Sequence, residues 1–334
     1  MNVAMWGKAL RVIPRIEKEE WNRLDVIARW LIATRSAVLI ITFISAAIAG
    51  LLALRDGRFN LGLWLLLTLG LLLAHATNNL LNDLTDYLKG VDKGNYFRAQ
   101  YGPQPLEHGL LSVRQLLVYA ALTGLLALAA GAYLVYLRGA PGLALLGLGA
   151  FFVLFYTWPL KYIGLGELAV LIVWGPLMIG GGYFVVTGVW DWNVVLAGLP
   201  YALGATTVIF GKHIDKYADD RAKGIATLPV LLGERNARYA ALAMMALQYA
   251  LVLYLVGSGY FTPAPLLALL ALRTVPLVAG VYLRPKPEQR PAEYPAETWP
   301  LWYVAFAFLH NRRFGLLYLL GLIGEVVLRG WVLR

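Results

Sequence analysis

Six of the chain's 19 acidic residues fall in two clusters: Asp83, Asp86 and Asp92 in NNLLNDLTDYLKGVDKG, and Asp215, Asp219 and Asp220 in GKHIDKYADDRAKGIATLPVLLG. Asp83 and Asp86 are spaced i, i+3 and Asp215 and Asp219 i, i+4, so on helices each pair is expected on one face. Carboxylates placed so close repel one another unless a cation lies between them. Their hard oxygens suit Mg²⁺, with Mn²⁺ as a substitute, and Mg²⁺ is typically held by one or two carboxylates together with substrate phosphates and water. Asn79, Asn82, Lys89, Lys93, Arg98, Lys212 and Arg221 lie among or beside the acids. They offer donors to the oxygens that a metal leaves free, so the chemistry these residues can do is to bind a diphosphate: metal on the acids, phosphate on the basic groups. A single aspartate at a helix end is ordinary solvated surface. Two clusters with matching spacing and basic neighbours at the ends of apolar runs point to function.

The elements that carry these residues must be membrane helices. Of the 334 residues 60% are hydrophobic and only 14% are charged, which excludes an ordinary soluble enzyme. Apolar runs of about one bilayer each, roughly 20 residues, are expected at 29–54, 61–81, 114–137, 141–158, 167–188, 194–211, 237–257, 264–283 and 314–333. The fold class is therefore all-α, a polytopic membrane protein of about nine spanning helices. The segment 298–309 is apolar but short and reads as interfacial or re-entrant. Residues 1–28 read as an amphipathic segment on the membrane surface, with Trp6, Ile13, Ile16 and Trp21 on its apolar face, and 29–334 as a single transmembrane domain. Nine spans put 21 Lys and Arg on the side of the N-terminus and both acid clusters, against five on the other. The positive-inside rule makes the richer side cytoplasmic. The net charge of +10 is thus accounted for by membrane insertion, and nucleic acid is not a partner. With no cysteine, disulfides, thiolate metal sites and a thiol nucleophile are excluded.

Asn82-Asp83-x-x-Asp86, followed by Gly90 and Asp92, resembles the first motif of the UbiA superfamily of intramembrane prenyltransferases, in the form found in the 1,4-dihydroxy-2-naphthoate (menaquinone) branch. The second cluster is similar to that superfamily's DxxxD motif, with Gly224, Thr227, Leu228 and Gly233 after it. Further matches are Ala33-Thr34-Arg35, Glu107-His108-Gly109-Leu110-Leu111-Ser112 and Lys161-Tyr162-x-Gly164-Leu165-Gly166-Glu167. The resemblance implies a nine-helix bundle with cytoplasmic active-site loops. It implies Mg²⁺-dependent transfer of a polyprenyl group from a polyprenyl diphosphate to an aromatic acceptor, with diphosphate released and the lipid tail in the bilayer. Asp83, Asp86, Asp92, Asp215, Asp219 and Asp220 would hold metal. Tyr156 and Lys161 would face the diphosphate, and Glu167 would orient the acceptor. The chain departs from the pattern at Gly211-Lys212-His213-Ile214, where the naphthoate branch has Asn and Arg, and at Gln104-Pro105 in place of Arg-Pro, which leaves Lys93 or Arg98 as the phosphate contact. Asp219 keeps the four-residue spacing from Asp215 while Asp220 is in register with Gly224, so either can be the second ligand.

Among the histidines, His213 beside the second motif is a candidate base or a solvated helix end. His75 reads as a hydrogen-bonded core residue, and His108 and His310 as interfacial. Two rivals remain: a prenyltransferase for another acceptor, and a secondary transporter of a cation or phosphorylated solute. The transporter needs acids in the middle of its spans, whereas these lie at helix ends.

Overall fold

The computed structural model describes residues 1–91, 102–294 and 298–332, and every regular element among them is helical. Among the described residues seven helices are long and apolar enough to cross a membrane: Ser36–Arg55, Leu61–Leu88, Val113–Phe155, Gly166–Thr187, Trp192–Asp215, Glu234–Gly257 and Ala264–Tyr282. The 43 residues of Val113–Phe155 leave helical geometry at Gly139, with φ 66° and ψ −148°. At 1.5 Å per residue the run is about 64 Å long, twice a bilayer core. Pro141 lacks an N–H and disfavours the helical conformation just before it, so the chain bends where the sequence placed a boundary.

Three expectations change. The first apolar run is not one helix: Val26–Ala33 ends before Arg35, which takes left-handed φ 54° and ψ 49°, and a short 3₁₀ turn leads into Ile40–Arg55. The segment 298–309 is not a separate interfacial piece, because from Trp302 it is the start of one helix, Trp302–Val332. No proline or glycine interrupts 302–314, and the polar run there divides by face, with His310 and Asn311 buried and Arg312 and Arg313 exposed. Nor does the N-terminal segment form one surface helix. Pro14 separates Val3–Ala9 from Lys18–Asn22, and Ala9, Ile16 and Trp21 are buried in the first unit while Val3, Leu10 and Val12 are exposed.

The chain divides into two compact units, Met1–Phe43 with Thr68–Trp158, and Ile44–Leu67 with Pro159–Arg334. The first has a core in which Trp21, 1% exposed, Ile16 and Ala9 join Leu31, Leu80, Leu106, Leu111 and Leu116. Asp25 caps Val26–Ala33 by accepting from Ala28 N at 2.8 Å, and that hydrogen bond holds its carboxyl below the usual carboxylate range. Trp21→Ala is expected to destabilise the protein by about 3–5 kcal/mol, as removal of a buried aromatic does, read as a lower thermal unfolding midpoint in detergent. An unchanged midpoint would show that the segment does not pack on the body.

The second unit is organised around Trp192–Asp215, 78% of whose apolar window is buried. Small residues let other helices come close. A Cβ at Gly211 would lie 2.8 Å from the Val304 backbone and from Tyr282 Oη. Any side chain there would push Trp302–Val332 away from the second acid cluster.

Candidate active site

In the first unit, Asp83 and Asp86 lie one turn apart on Leu61–Leu88 and are both buried, at 3% and 6% exposure. The kink at Arg35 supplies their first neighbour. Arg35 Nη2 donates to Asn79 O at 2.9 Å and pairs with Asp83 Oδ1 at 3.1 Å, while Asn79 Nδ2 donates to Thr34 O at 2.9 Å. Asn82 Nδ2 donates to Thr157 Oγ1 at 3.0 Å. The two asparagines expected to contact substrate therefore spend their amides on holding the chain that flanks the acids. Arg35 had a signal in the sequence, since a charge inside an apolar run is a functional candidate. Tyr156 is half-buried, and the Lys89 ammonium lies 4.9 Å from the Trp158 ring centroid. Asp92, Lys93 and Arg98 lie outside the described residues.

Gly90 explains its own place in the motif. Its φ is 67°, Val91 N donates to Asp86 O at 2.9 Å and Gly90 N to Tyr87 O at 3.0 Å, which is the glycine-terminated helix end known as a Schellman motif. The second unit repeats this ending. Gly224 has φ 68°, Ile225 N donates to Asp220 O at 2.8 Å and Gly224 N to Arg221 O at 3.2 Å. Asp220, buried at 2% exposure, thus has the position relative to its glycine that Asp86 has in the first unit.

Asp215 and Asp219 do not share a helix face. The helix Trp192–Asp215 stops at Asp215, and Asp219 and Asp220 sit on the separate helix Tyr217–Ala222. The cause lies at Asp215, whose Oδ1 accepts from Tyr303 N and Oδ2 from Val304 N, each at 3.0 Å, with Lys286 Nζ 3.5 Å away. A carboxylate at the amide end of Trp302–Val332 satisfies free N–H groups and meets the positive end of the helix dipole. Burial lowers the Lys286 ammonium below its ordinary pKa, and Asp215 opposes the shift. Asp220 pairs with Lys216 at 3.1 Å, and Asp219 is half-buried.

Glu167 and His213 form a buried pair. Glu167 lies in the first turn of Gly166–Ile172, its Oε1 is 2.5 Å from His213 Nδ1, and its Oε2 accepts from Leu228 N at 3.2 Å. His213 is therefore not a solvated helix end, and Glu167 ties the turn after Lys161 to the segment following the second motif. Ala226 N adds a bond to Tyr162 O at 3.2 Å. Lys161 is buried, Lys212 half-buried and Arg221 exposed. His75 is bonded to Thr42 at 2.8 Å, as expected of a core residue, whereas His310 is buried against Tyr249 at 2.8 Å and is not interfacial. His108 is exposed. Lys286 and the Glu167–His213 pairing are what the sequence reading missed. Both are contacts between segments distant in the chain, with no local signal.

Among the described residues, no three His, Asp or Glu side chains come together as a metal site. The donor set fits Mg²⁺ nonetheless, because that ion completes its shell with phosphate oxygens and water around one or two carboxylates, and buried Asp83 and Asp86 form such a pair. Asp220 offers one more carboxylate in the other unit. In an assay with Mg²⁺ and a polyprenyl diphosphate, the two remaining acids can be ranked by substitution. Asp220→Ala is expected to cut turnover at least about tenfold more than Asp219→Ala, since loss of a ligand removes charge stabilisation worth several kcal/mol. The larger loss at Asp219 would reverse the register.

Residues 42–299 match the UbiA prenyltransferase family. The chain is 29% identical over 282 residues to the 1,4-dihydroxy-2-naphthoate octaprenyltransferase of Escherichia coli (strain K12), covering 78% of this chain and 89% of that protein. Its fold is similar to that of a UbiA homolog from Aeropyrum pernix K1, with a TM-score of 0.65 at 21% identity over 86% of this chain and 98% of the other. A UbiA homolog from Archaeoglobus fulgidus, bound to GPP and Mg²⁺, gives a TM-score of 0.51 at 15% identity over 86% of this chain and 99% of the other. With the family matched over more than half its length, and with helices long and apolar enough to cross a bilayer, this chain is an integral membrane protein that belongs to the UbiA prenyltransferase family.

Proposed function

We propose that this prenyltransferase moves a polyprenyl group from polyprenyl diphosphate to 1,4-dihydroxy-2-naphthoate in a Mg²⁺-dependent reaction of menaquinone biosynthesis. The observation that carries the reading is the repeated helix end: a buried aspartate, Asp86 or Asp220, four residues before a left-handed glycine in each unit. The donor follows from the hard-oxygen chemistry of these acids and from the GPP and Mg²⁺ bound by the Archaeoglobus homolog. The acceptor follows from the activity in the E. coli relative's name.

In this reading Asp83, Asp86 and Asp220 hold metal, with Asp92 and Asp219 as further acids of the same clusters. Asp215 fixes the start of Trp302–Val332 in the second unit. Bound Mg²⁺ supplies charge neutralisation for the leaving diphosphate. Lys161, Lys212, Arg221, Lys93 and Arg98 add fixed positive charge for its oxygens, and Tyr156 an additional donor. The bond between the first prenyl carbon and the diphosphate oxygen breaks, and its electron pair leaves with the diphosphate. The allylic cation is captured by a ring carbon of the acceptor, and an aspartate or glutamate takes the proton that the ring loses. Apolar walls keep water from capturing the cation first. The N-terminus and both acid clusters are placed on the cytoplasmic side, supported by the excess of basic residues there. About nine crossings agree with that placement if the bend at Gly139 and the helix Trp302–Val332 each add one to the seven apolar helices.

A carboxylated acceptor gains from a nearby ammonium, Lys161 or Lys212, a charge-assisted hydrogen bond of about 1.5–3 kcal/mol. The naphthoate is therefore expected to be prenylated at least about tenfold faster than its decarboxylated analogue, a difference of about 1.4 kcal/mol. The measurement is purified protein with Mg²⁺, labelled polyprenyl diphosphate and a panel of aromatic acids and non-aromatic alcohols, the products identified by mass. Turnover with a non-aromatic alcohol alone would overturn the naphthoate assignment and leave prenyl transfer intact.

A further inference from the structure

Glu167 is only 1% exposed, and both of its carboxylate oxygens are engaged by the second unit itself. Oε1 lies 2.5 Å from His213 Nδ1, and Oε2 accepts from Leu228 N at 3.2 Å. One partner comes just before the second acid cluster and the other just after it, so a single carboxylate closes the segment 213–228, which carries Asp219 and Asp220. His213, buried at 3% exposure, meets the carboxylate from the last turn of Trp192–Asp215. Leu228 is the first residue of the short helix Leu228–Leu232, and the carboxylate satisfies one of the amides that a helix start leaves free. A carboxylate taken out of water needs partners of this kind.

The same residue is built into the turn that carries Lys161. Leu160–Ile163 is a short 3₁₀ turn closed by Gly164, whose φ is 78°, and Leu165 N then donates to Leu160 O at 2.9 Å. Glu167 follows in the first turn of Gly166–Ile172. The step between the two elements is tight: a Cβ on Gly166 would lie 3.1 Å from Lys161 Cα, and one on Gly164 3.3 Å from Ala226 O. Ala226 N completes the seam by donating to Tyr162 O at 3.2 Å. Lys161 and the second cluster therefore stand on two segments joined by hydrogen bonds, and Glu167 makes two of them. Such a seam fixes where an ammonium stands relative to carboxylates, and stabilising charge on a leaving diphosphate depends on that preorganisation. We infer that Glu167 is a positioning residue for the diphosphate side of the reaction, holding Lys161 in place relative to Asp220 through His213 and Leu228, and that it does not touch the acceptor. This differs from the acceptor-orienting role that the sequence resemblance implies. The inference rests on the prenyl-transfer reading above and not on the identity of the acceptor.

The test is steady-state kinetics of the full-length protein in detergent with Mg²⁺, labelled polyprenyl diphosphate and whichever acceptor of the panel the wild type prenylates, each reactant varied in turn. Glu167→Ala is expected to raise KM for the diphosphate, and the Mg²⁺ concentration giving half-maximal rate, by at least about tenfold, because a displacement of about 1 Å in a positioned group costs up to about a hundredfold. KM for the acceptor should stay within about twofold, since no interaction with it is lost. Glu167→Gln keeps an acceptor for Leu228 N and can donate from its amide to His213 Nδ1, so it should recover most of the loss, to within about threefold of the wild-type diphosphate KM. His213→Ala removes one of the two arms and should give an intermediate rise. It decides the matter if Glu167→Ala does not fold, which the thermal unfolding midpoint reports. A residue that only supports the fold would lower the midpoint without separating the two KM values. A rise in KM for the acceptor alone, a Glu167→Gln variant as impaired as Glu167→Ala, or unchanged constants in folded variants would overturn the inference and leave prenyl transfer intact. No transfer by the wild type to any acceptor would overturn the prenyl-transfer reading, and this inference with it.

Discussion

Asp83→Asn and Asp86→Asn each lower turnover by at least about a hundredfold, a loss of about 2.7 kcal/mol of transition-state stabilisation. Asparagine is the informative replacement. It keeps the volume of a side chain only 3% or 6% exposed, so that loss of charge and not a cavity is measured. Alanine at position 83 would also leave Arg35 facing an emptied place, and breaking a buried ion pair from one side costs about 3–5 kcal/mol of stability. A fall in turnover with the size-exclusion profile and unfolding midpoint kept is what a metal ligand gives. The required Mg²⁺ concentration should rise together with the fall in rate. Rates within fivefold of wild type in both Asn variants would remove the first cluster from the mechanism.

Asp215 is expected to behave differently, because its carboxylate already serves the protein. Removing it by Asp215→Ala deprives Tyr303 N and Val304 N of their acceptor and takes away the carboxylate 3.5 Å from Lys286 Nζ. Each buried donor left unsatisfied costs about 1–3 kcal/mol. We expect a total loss of about 3–5 kcal/mol, seen as a much lower unfolding midpoint. Asp215→Asn keeps one carbonyl oxygen for these amides and should lose less than half as much. A residue that served only as a metal ligand would leave the midpoint of both variants at the wild-type value. That outcome would return Asp215 to the metal site and remove its role at the start of Trp302–Val332.

The class of the protein and most of its motif residues were legible in the sequence because both depend on local chemistry. Apolar runs of bilayer length mark membrane helices whatever packs around them, and Pro141 marked the bend at Gly139. The spacing of Asp83 and Asp86 put them on one turn because nothing breaks the helix between them. The same reasoning failed at Asp215 and Asp219, which share a periodicity but not a helix. There the chain ends its helix at Asp215, whose side chain reaches amides 88 and 89 residues away in sequence. The N-terminal tryptophans looked suited to a membrane surface, since amphipathicity records that a face will be buried and not what will bury it. Trp21 is covered by the first unit's own leucines.

By itself the sequence determined which residues are apolar enough to enter a bilayer, which acids and bases lie close along the chain, and where glycine ends a helix. Only the tertiary structure decided which partners each carboxylate meets. A side chain's chemistry is set by its own atoms, but its partner is set by whatever the rest of the chain brings within about 3 Å. The equivalence of Asp86 and Asp220, the pairing of Glu167 with His213, and the tie from Asp215 to Tyr303 and Val304 all depend on such contacts.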